Sequence, residues 1–271
     1  MIPDSCSLFC VLYLCRAKIA QLDKKLKVGI VNYLNTKPLL YGLKLPPISG
    51  QILLVEDHPA RLANLLINDE IDVGLIPVAV IPELSQYFLV SDYCIATEGE
   101  VASVCLFSEV PMGEIEKVYL DYQSRTSVVL LKWLMKEYWD IHPEMIHAED
   151  ENFLKKIKGS TAGLVIGDRA LEQRKVSTFI YDLSSEWKKL TGLPFVFAAW
   201  VSKKELPEEF LIDFNTANGL GLQKLDEIVS QNPFNGFDLK KYYTHHISYQ
   251  LDERKKRGME KFLQVISNSD S

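Results

Sequence analysis

Hydrophobic positions along this chain fall into two alternating rhythms, short buried runs and spaced helical faces. Leu26 to Tyr33 (LKVGIVNY) reads as a buried strand. Asn35-Thr36-Lys37-Pro38 opens a short helix, with Pro38 suited to a first turn. Pro46-Pro47 and Gly50 mark a loop, and Gln51 to Val55 is a second strand. A helix starts at Pro59, carries Leu62, Leu65 and Leu66 on one face, and closes at Asn68-Asp69-Glu70. Ile71 to Ile76 (IDVGLI) is a third buried strand ending at Pro77. Strand, helix, strand predicts parallel pairing, with ligands gathering beyond the carboxyl ends of the strands. Tyr33 to Thr36, Pro77 to Ala79 and Ser124 to Ser127 should face that crevice.

Farther along, Tyr93 to Thr97 and Val101 to Phe107 are long β-type runs, read as a passage into a second lobe. Val118 to Asp121 and Gly163 to Ile166 are strands, and Val128 to Trp139 is a helix apolar nearly all round. Asp182 to Leu190 is a polar helix broken at Thr191-Gly192-Leu193-Pro194. Phe195 to Val201 carries the chain back, and helices follow from Pro207. The expected architecture is α/β and two-lobed, of the type II periplasmic-binding-protein-like kind. Each lobe is a mostly parallel sheet flanked by helices, with a cleft between lobes. The expected division is residues 26–97 and 200–271 for lobe one, and 98–199 for lobe two. Residues 1–25 read as a dispensable extension.

Composition narrows the function. A chain of 271 residues with 47% hydrophobic and 24% charged positions can bury a core without staples. The net charge of −6 argues against nucleic acid or an anionic membrane as partner, since both reward clustered Lys and Arg. The five cysteines, Cys6, Cys10, Cys15, Cys94 and Cys105, form no C-x-x-C pair, so neither a disulfide framework nor a zinc site is expected. Cys6 to Cys15 is apolar but lacks the basic flank of an export signal and is too short to span a bilayer. A cytoplasmic location is therefore expected. No histidine pair has metal-ligand spacing, and no phosphate- or dinucleotide-binding glycine motif occurs. No cofactor is expected.

Ser124-Arg125-Thr126-Ser127 sits between a strand and a helix, where hydroxyls, free N–H groups and the helix dipole favour an anion. Arg125 can add a bidentate pair to a carboxylate. A plain helix cap with a surface Arg explains the same residues. Asn35 can orient a hydroxyl or carboxylate, or simply cap its helix. Ser103 lies within the presumed hinge strand, facing the cleft or filling core space. Asp168 follows a buried strand and caps the next helix or faces the cleft.

Taken as an ordered set, VGIVNYLNTKPLLYG (28–42), IDVGLIP (71–77), GEVASVCLFS (99–108), SRTSVVL (124–130), GLVIGDRA (163–170) and WKKLTGLPFVFAAWV (187–201) resemble chorismate dehydratases of the futalosine route to menaquinone. The resemblance implies the two-lobed fold and a reaction. Chorismate loses its C4 hydroxyl and C3 proton to give 3-enolpyruvyl-benzoate and water. It implies Asn35 and Ser103 as catalytic residues. Tyr33, Ser124, Arg125, Thr126, Ser127 and Asp168 are the expected substrate contacts. Pro77 to Val80 departs from the family pattern, which carries a polar residue or Glu there. With no His in the matched motifs, the substrate's own enolpyruvyl carboxylate is the expected base, and Glu98 or Glu100 the alternatives. The competing readings are a solute-binding protein of the same fold and the paralogous 1,4-dihydroxy-6-naphthoate synthase.

Overall fold

A computed structural model describes residues 25–269. The first sheet takes β1 (Leu26–Val31), β2 (Ile52–Asp57), β3 (Val73–Pro77), β4 (Phe88–Thr97), β10 (Phe195–Ser202) and β11 (Ser248–Gln250). The second takes β5 (Val104–Ser108), β6 (Lys117–Leu120), β7 (Glu144–His147), β8 (Thr161–Ile166) and β9 (Phe179–Asp182). Strand order is β11-β4-β10-β3-β1-β2 in one and β7-β6-β8-β5-β9 in the other. Strands β1, β2 and β3 pair in parallel, as do β7, β6 and β8, while β10, β4, β11, β5 and β9 add antiparallel pairings. The two-lobed α/β plan holds, but the sheets are mixed rather than mostly parallel. The reason is that the chain crosses between sheets and returns, and a strand re-entering beside β3 and β4 runs against both.

Local chemistry explains the helices that matter for the cleft. Helix α1 (Lys37–Leu43) carries Pro38 in its first turn, as expected. Helix α2 (Pro59–Ile67) starts at Pro59 and buries Leu62, Ala63 and Leu66. Helix α3 (Thr126–Leu134) buries Leu130, Leu131 and Leu134, then loosens into a π turn, Met135–Trp139, that ends at Asp140 with φ 47°. Helix α4 (Asp168–Gln173) follows β8, and α5 (Leu183–Thr191) follows β9. Helix α6 (Glu208–Leu220) lies against α1 backbone to backbone. A Cβ on Gly42 would meet the Ala217 carbonyl at 2.0 Å, and one on Gly221 would meet that of Pro38 at 1.9 Å. Those glycines let the C-terminal part of the chain seat directly on α1, the helix that follows the turn carrying Asn35.

The first crossover is a turn rather than a continuous strand. Ser103 was expected inside a run from Val101 to Phe107, but β5 begins at Val104, and Ala102 has φ 62°. An Ala in that region is strained, so something must hold it. The holder is Asp182, whose carboxylate accepts from Val101 N–H (3.1 Å), Ala102 N–H (2.8 Å) and, as helix cap, Ser185 N–H (3.0 Å). Burial pushes the Asp182 carboxyl above its ordinary pKa, opposed by these three N–H groups. Arg174 closes the other side, donating to the Ala102 carbonyl (3.3 Å) and to Glu100 (2.6 Å).

The cysteines Cys94 and Cys105 are free and buried, with thiols pushed well above their ordinary pKa by burial. Cys6, Cys10 and Cys15 lie outside the described residues. Among the described residues no helix is long and apolar enough to cross a membrane. Replacing Asp182 by Ala strips a strained turn and a helix start of their acceptor at once. It is expected to lower unfolding free energy by about 3 kcal/mol in urea titration. A loss below about 1 kcal/mol would show that the turn holds itself.

Candidate active site

Past the carboxyl ends of β1, β3 and β8 the two sheets face a small, half-enclosed cleft. Its walls are Val31, Pro59, Pro77, Ile95, Val101, Val104, Ile166, Phe197 and Ala198. Its polar lining is Tyr33, Asn35, Thr36, Ser103, Ser124, Thr126 and Ser127, with the Gly167 backbone. Six of the eight expected site residues therefore meet in one cavity, drawn from both sheets and from the crossover.

Asn35 sits in the 3-10 turn Leu34–Thr36 after β1, and its backbone carbonyl accepts from Tyr249 hydroxyl at 2.9 Å. Its side chain caps no helix. Asn35 Oδ1 is buried with no hydrogen-bond partner, in a cavity the side chain lines. A buried amide oxygen left so costs about 1–3 kcal/mol, a cost a ligand donor would remove. Ser103 is fully buried from outside and accepts from Tyr242 hydroxyl at 2.7 Å. Ser124 Oγ caps the turn into α3 by accepting from Ser127 N–H at 3.1 Å, which leaves its own proton to donate. Ser124 therefore caps the turn while also lining the cavity.

Thr126 has another task. Its hydroxyl accepts from Ala79 N–H (3.2 Å) and donates to the Phe197 carbonyl (3.1 Å), tying α3 to the first sheet. Two expected contacts lie off the lining. Arg125 turns away, its guanidinium bonded to Glu83 (3.1 Å) and Asn64 (2.6 Å). Asp168 is spent on the other lobe, accepting from Leu34 N–H at 2.9 Å. Burial pushes its carboxyl above the ordinary range, against that N–H. It steadies the turn bearing Asn35 instead of meeting a ligand.

Around Tyr33, an expected contact, residues not singled out from sequence build the rim. Tyr33 donates to Gln123 Oε1, and its ring lies against Gly167, where a Cβ would come within 2.9 Å of it. Gly167 also has φ 67°, so it answers both a turn and a close approach. Gln123 in turn is held by Arg169 at 2.9 Å, and Arg169 by the buried Asp121 at 2.8 Å. Asp121 further accepts from Gln123 N–H (3.0 Å) and Ile166 N–H (3.1 Å), fixing the loop before Ser124. The sequence signal was faint: Asp121 ends a strand and Arg169 follows Asp168, but only tertiary folding pairs them.

Glu98 and Glu100 do not line the cavity. Glu98 pairs with Lys255 (3.1 Å) and Arg254 (3.4 Å), and Glu100 with Arg174 (2.6 Å). No histidine lines it either, though His58 precedes Pro59, which does. His58 Nδ1 accepts from Arg61 N–H at 3.3 Å, capping α2, while its ring meets Tyr122 across the cleft, centroids 6.2 Å apart.

Burial holds the His58 pKa below its ordinary value. Asp57 and Asp121 pull it upward, and Arg61 and Arg169 push it down. Only the neutral ring can accept from Arg61 N–H. With the folded pKa depressed, this contribution is present above about pH 6.5 and lost as pH falls through the folded value. His58→Asn keeps an acceptor and removes the titration. Its melting temperature should fall less than the parent's between about pH 7 and about pH 5. Equal falls in both proteins would place the pH sensitivity elsewhere.

Comparison with known proteins agrees with this geometry. A family described as menaquinone biosynthesis matches residues 26–268. A protein of Thermus thermophilus named chorismate dehydratase is 27% identical over 274 residues, covering 88% of this chain and 94% of that protein. A solved structure of an Archaeoglobus fulgidus protein superposes with a TM-score of 0.72 at 14% identity, covering 91% of this chain and 98% of that one. A Candida albicans protein, described as having the generic periplasmic binding protein fold, gives a TM-score of 0.56 at 13% identity, with 90% of each chain covered. Two mixed sheets facing a shared cleft, with a family match that runs from the first strand to the last helix, place this chain in the menaquinone biosynthesis family.

Proposed function

We propose that this chain is a chorismate dehydratase, a hydro-lyase that removes water from chorismate to give 3-enolpyruvyl-benzoate in the futalosine route. The observation that carries the reading is the meeting of Asn35 and Ser103 in one cavity, beside the hydroxyls of Ser124 and Ser127 at the start of α3. Similarity to the Thermus thermophilus protein supports the choice of substrate.

In this reading the amino end of α3 takes a substrate carboxylate, through Ser124, Ser127 and the helix dipole. Asn35 and Ser103 hold the reacting ring. The enolpyruvyl carboxylate removes the C3 proton, the C3–H electron pair forms the new ring double bond, and hydroxide leaves C4. The abstracted proton completes the water. Positioning in a closed apolar site contributes several kcal/mol, and aligned donors add to it. No cofactor enters these steps. The cytoplasm, where chorismate-consuming biosynthesis would be placed, is the proposed location.

The test mixes the purified full chain with chorismate and follows absorbance and mass for loss of one water. Turnover is expected, reduced roughly 100-fold or more in Asn35→Ala and in Ser103→Ala. Tight binding without turnover would instead favour a solute receptor on this fold. Glu98→Gln and Glu100→Gln are expected to stay within about threefold of the parent, since each carboxylate lies off the cavity and is engaged in ion pairs. Abolished turnover with binding intact in either would make that Glu the base.

A further inference from the structure

Behind the crossover turn stands a tyrosine that the proposed chemistry leaves unused. Tyr242 is fully buried on the π turn Tyr242–His246, after the short helix Leu239–Lys241. Phe237 meets its ring edge-on, centroids 5.8 Å apart, and Tyr243 packs at the same distance. From that fixed position the Tyr242 hydroxyl donates to Ser103 Oγ at 2.7 Å.

A serine hydroxyl has one proton and two acceptor lone pairs, and its proton turns freely about the C–O bond. Tyr242 occupies one lone pair, so the Ser103 proton must point away from it. Among the described residues no acceptor is bonded to that proton, while Ser103 lines the cavity. Val101 carbonyl accepts from Ser103 N–H at 2.8 Å, and Ser103 carbonyl accepts from Gly167 N–H at 2.8 Å, so the backbone is held on both sides as well.

We propose that Tyr242 is a positioning residue, fixing the Ser103 hydroxyl as a donor directed at the hydroxyl that leaves the substrate. This rests on the dehydratase reading above. In the elimination the C4–O bond breaks with its electron pair on oxygen. The Ser103 hydrogen bond stabilises that oxygen as charge develops on it. The proton that completes the water is the one taken from C3, and Ser103 and Tyr242 keep theirs. Donation from Tyr242 also polarises the Ser103 O–H, because chained hydrogen bonds strengthen one another at low dielectric. Burial pushes the Tyr242 phenol well above its ordinary pKa, so it remains a protonated donor.

The test is a double-mutant cycle on chorismate turnover in the full chain. Tyr242→Phe keeps the buried ring and is expected to lower kcat about tenfold, with KM changed by less than about twofold. In the Ser103→Ala background, Tyr242→Phe is expected to cost nothing further, because its partner is already gone. Losses that multiply in the double variant, or an unchanged kcat in Tyr242→Phe, would overturn the inference while leaving the dehydratase reading intact. If Tyr242→Phe fails to fold, 3-fluorotyrosine at position 242 keeps the donor and is expected to hold kcat within about twofold; a larger fall counts against the role. No turnover by the unaltered chain would sink both readings together.

Discussion

The grip of Asp182 on the crossover turn is the interaction on which the cleft depends. One buried carboxylate bonds the N–H groups of Val101 and Ala102 and the first turn of α5. Left alone, Ala102 at φ 62° would relax toward an extended conformation and take Ser103 with it. Taking a carboxylate out of water is costly, and the upward pull on its pKa records that cost. Three N–H donors offset it, and the return is geometric. Ser103 is left with its hydroxyl between Tyr242 and the cavity. A small error at this turn would move the donor by more than a hydrogen bond tolerates.

Across the cleft the lobes touch through a few separate bonds, and behind it they share one apolar core. Leu34 reaches Asp168, Tyr33 reaches Gln123, Ala60 N–H reaches the Gln123 carbonyl (3.2 Å), and Thr126 reaches Ala79 and Phe197. Each such bond is worth about 1 kcal/mol net, because water can replace it. The aromatic core behind these bonds is of another order. Trp187 packs on Trp133, Phe195 and Phe262 with centroids 5.3 to 6.0 Å apart.

The strand–helix alternation from Leu26 to Pro77 was legible because buried runs and single apolar faces are local patterns. Short strands β7, β9 and β11 were not, since four residues such as Glu144–His147 show no clear period. The hydroxyl cluster at Ser124 to Ser127 was legible as a place but not as a set of roles. Adjacent residues at a helix start point in different directions. Arg125 therefore meets Glu83 and Asn64 while its neighbours face the cavity. Tyr242 lies 139 residues from Ser103, and nothing local marks the pair. Asp121 and Arg169 were hidden for the same reason: their bond exists only once β6 and α4 are brought together.

The turning away of Arg125 bears on the chemistry. A guanidinium beside a carboxylate holds its pKa down and weakens it as a base. If the substrate's own carboxylate removes the C3 proton, a cation in contact with it would work against the reaction. The cavity has hydroxyls, one amide and apolar walls, with Arg125 and Arg169 each occupied by carboxylates outside the lining. Neutral donors can orient a carboxylate while withdrawing less of its basicity than an ion pair does. The amino end of α3 can meanwhile take the other carboxylate, which has no proton to abstract. Such a division needs two different electrostatic surroundings, and in the proposed reaction the two sides of this cleft, Ser124–Ser127 and Asn35–Ser103, would supply them.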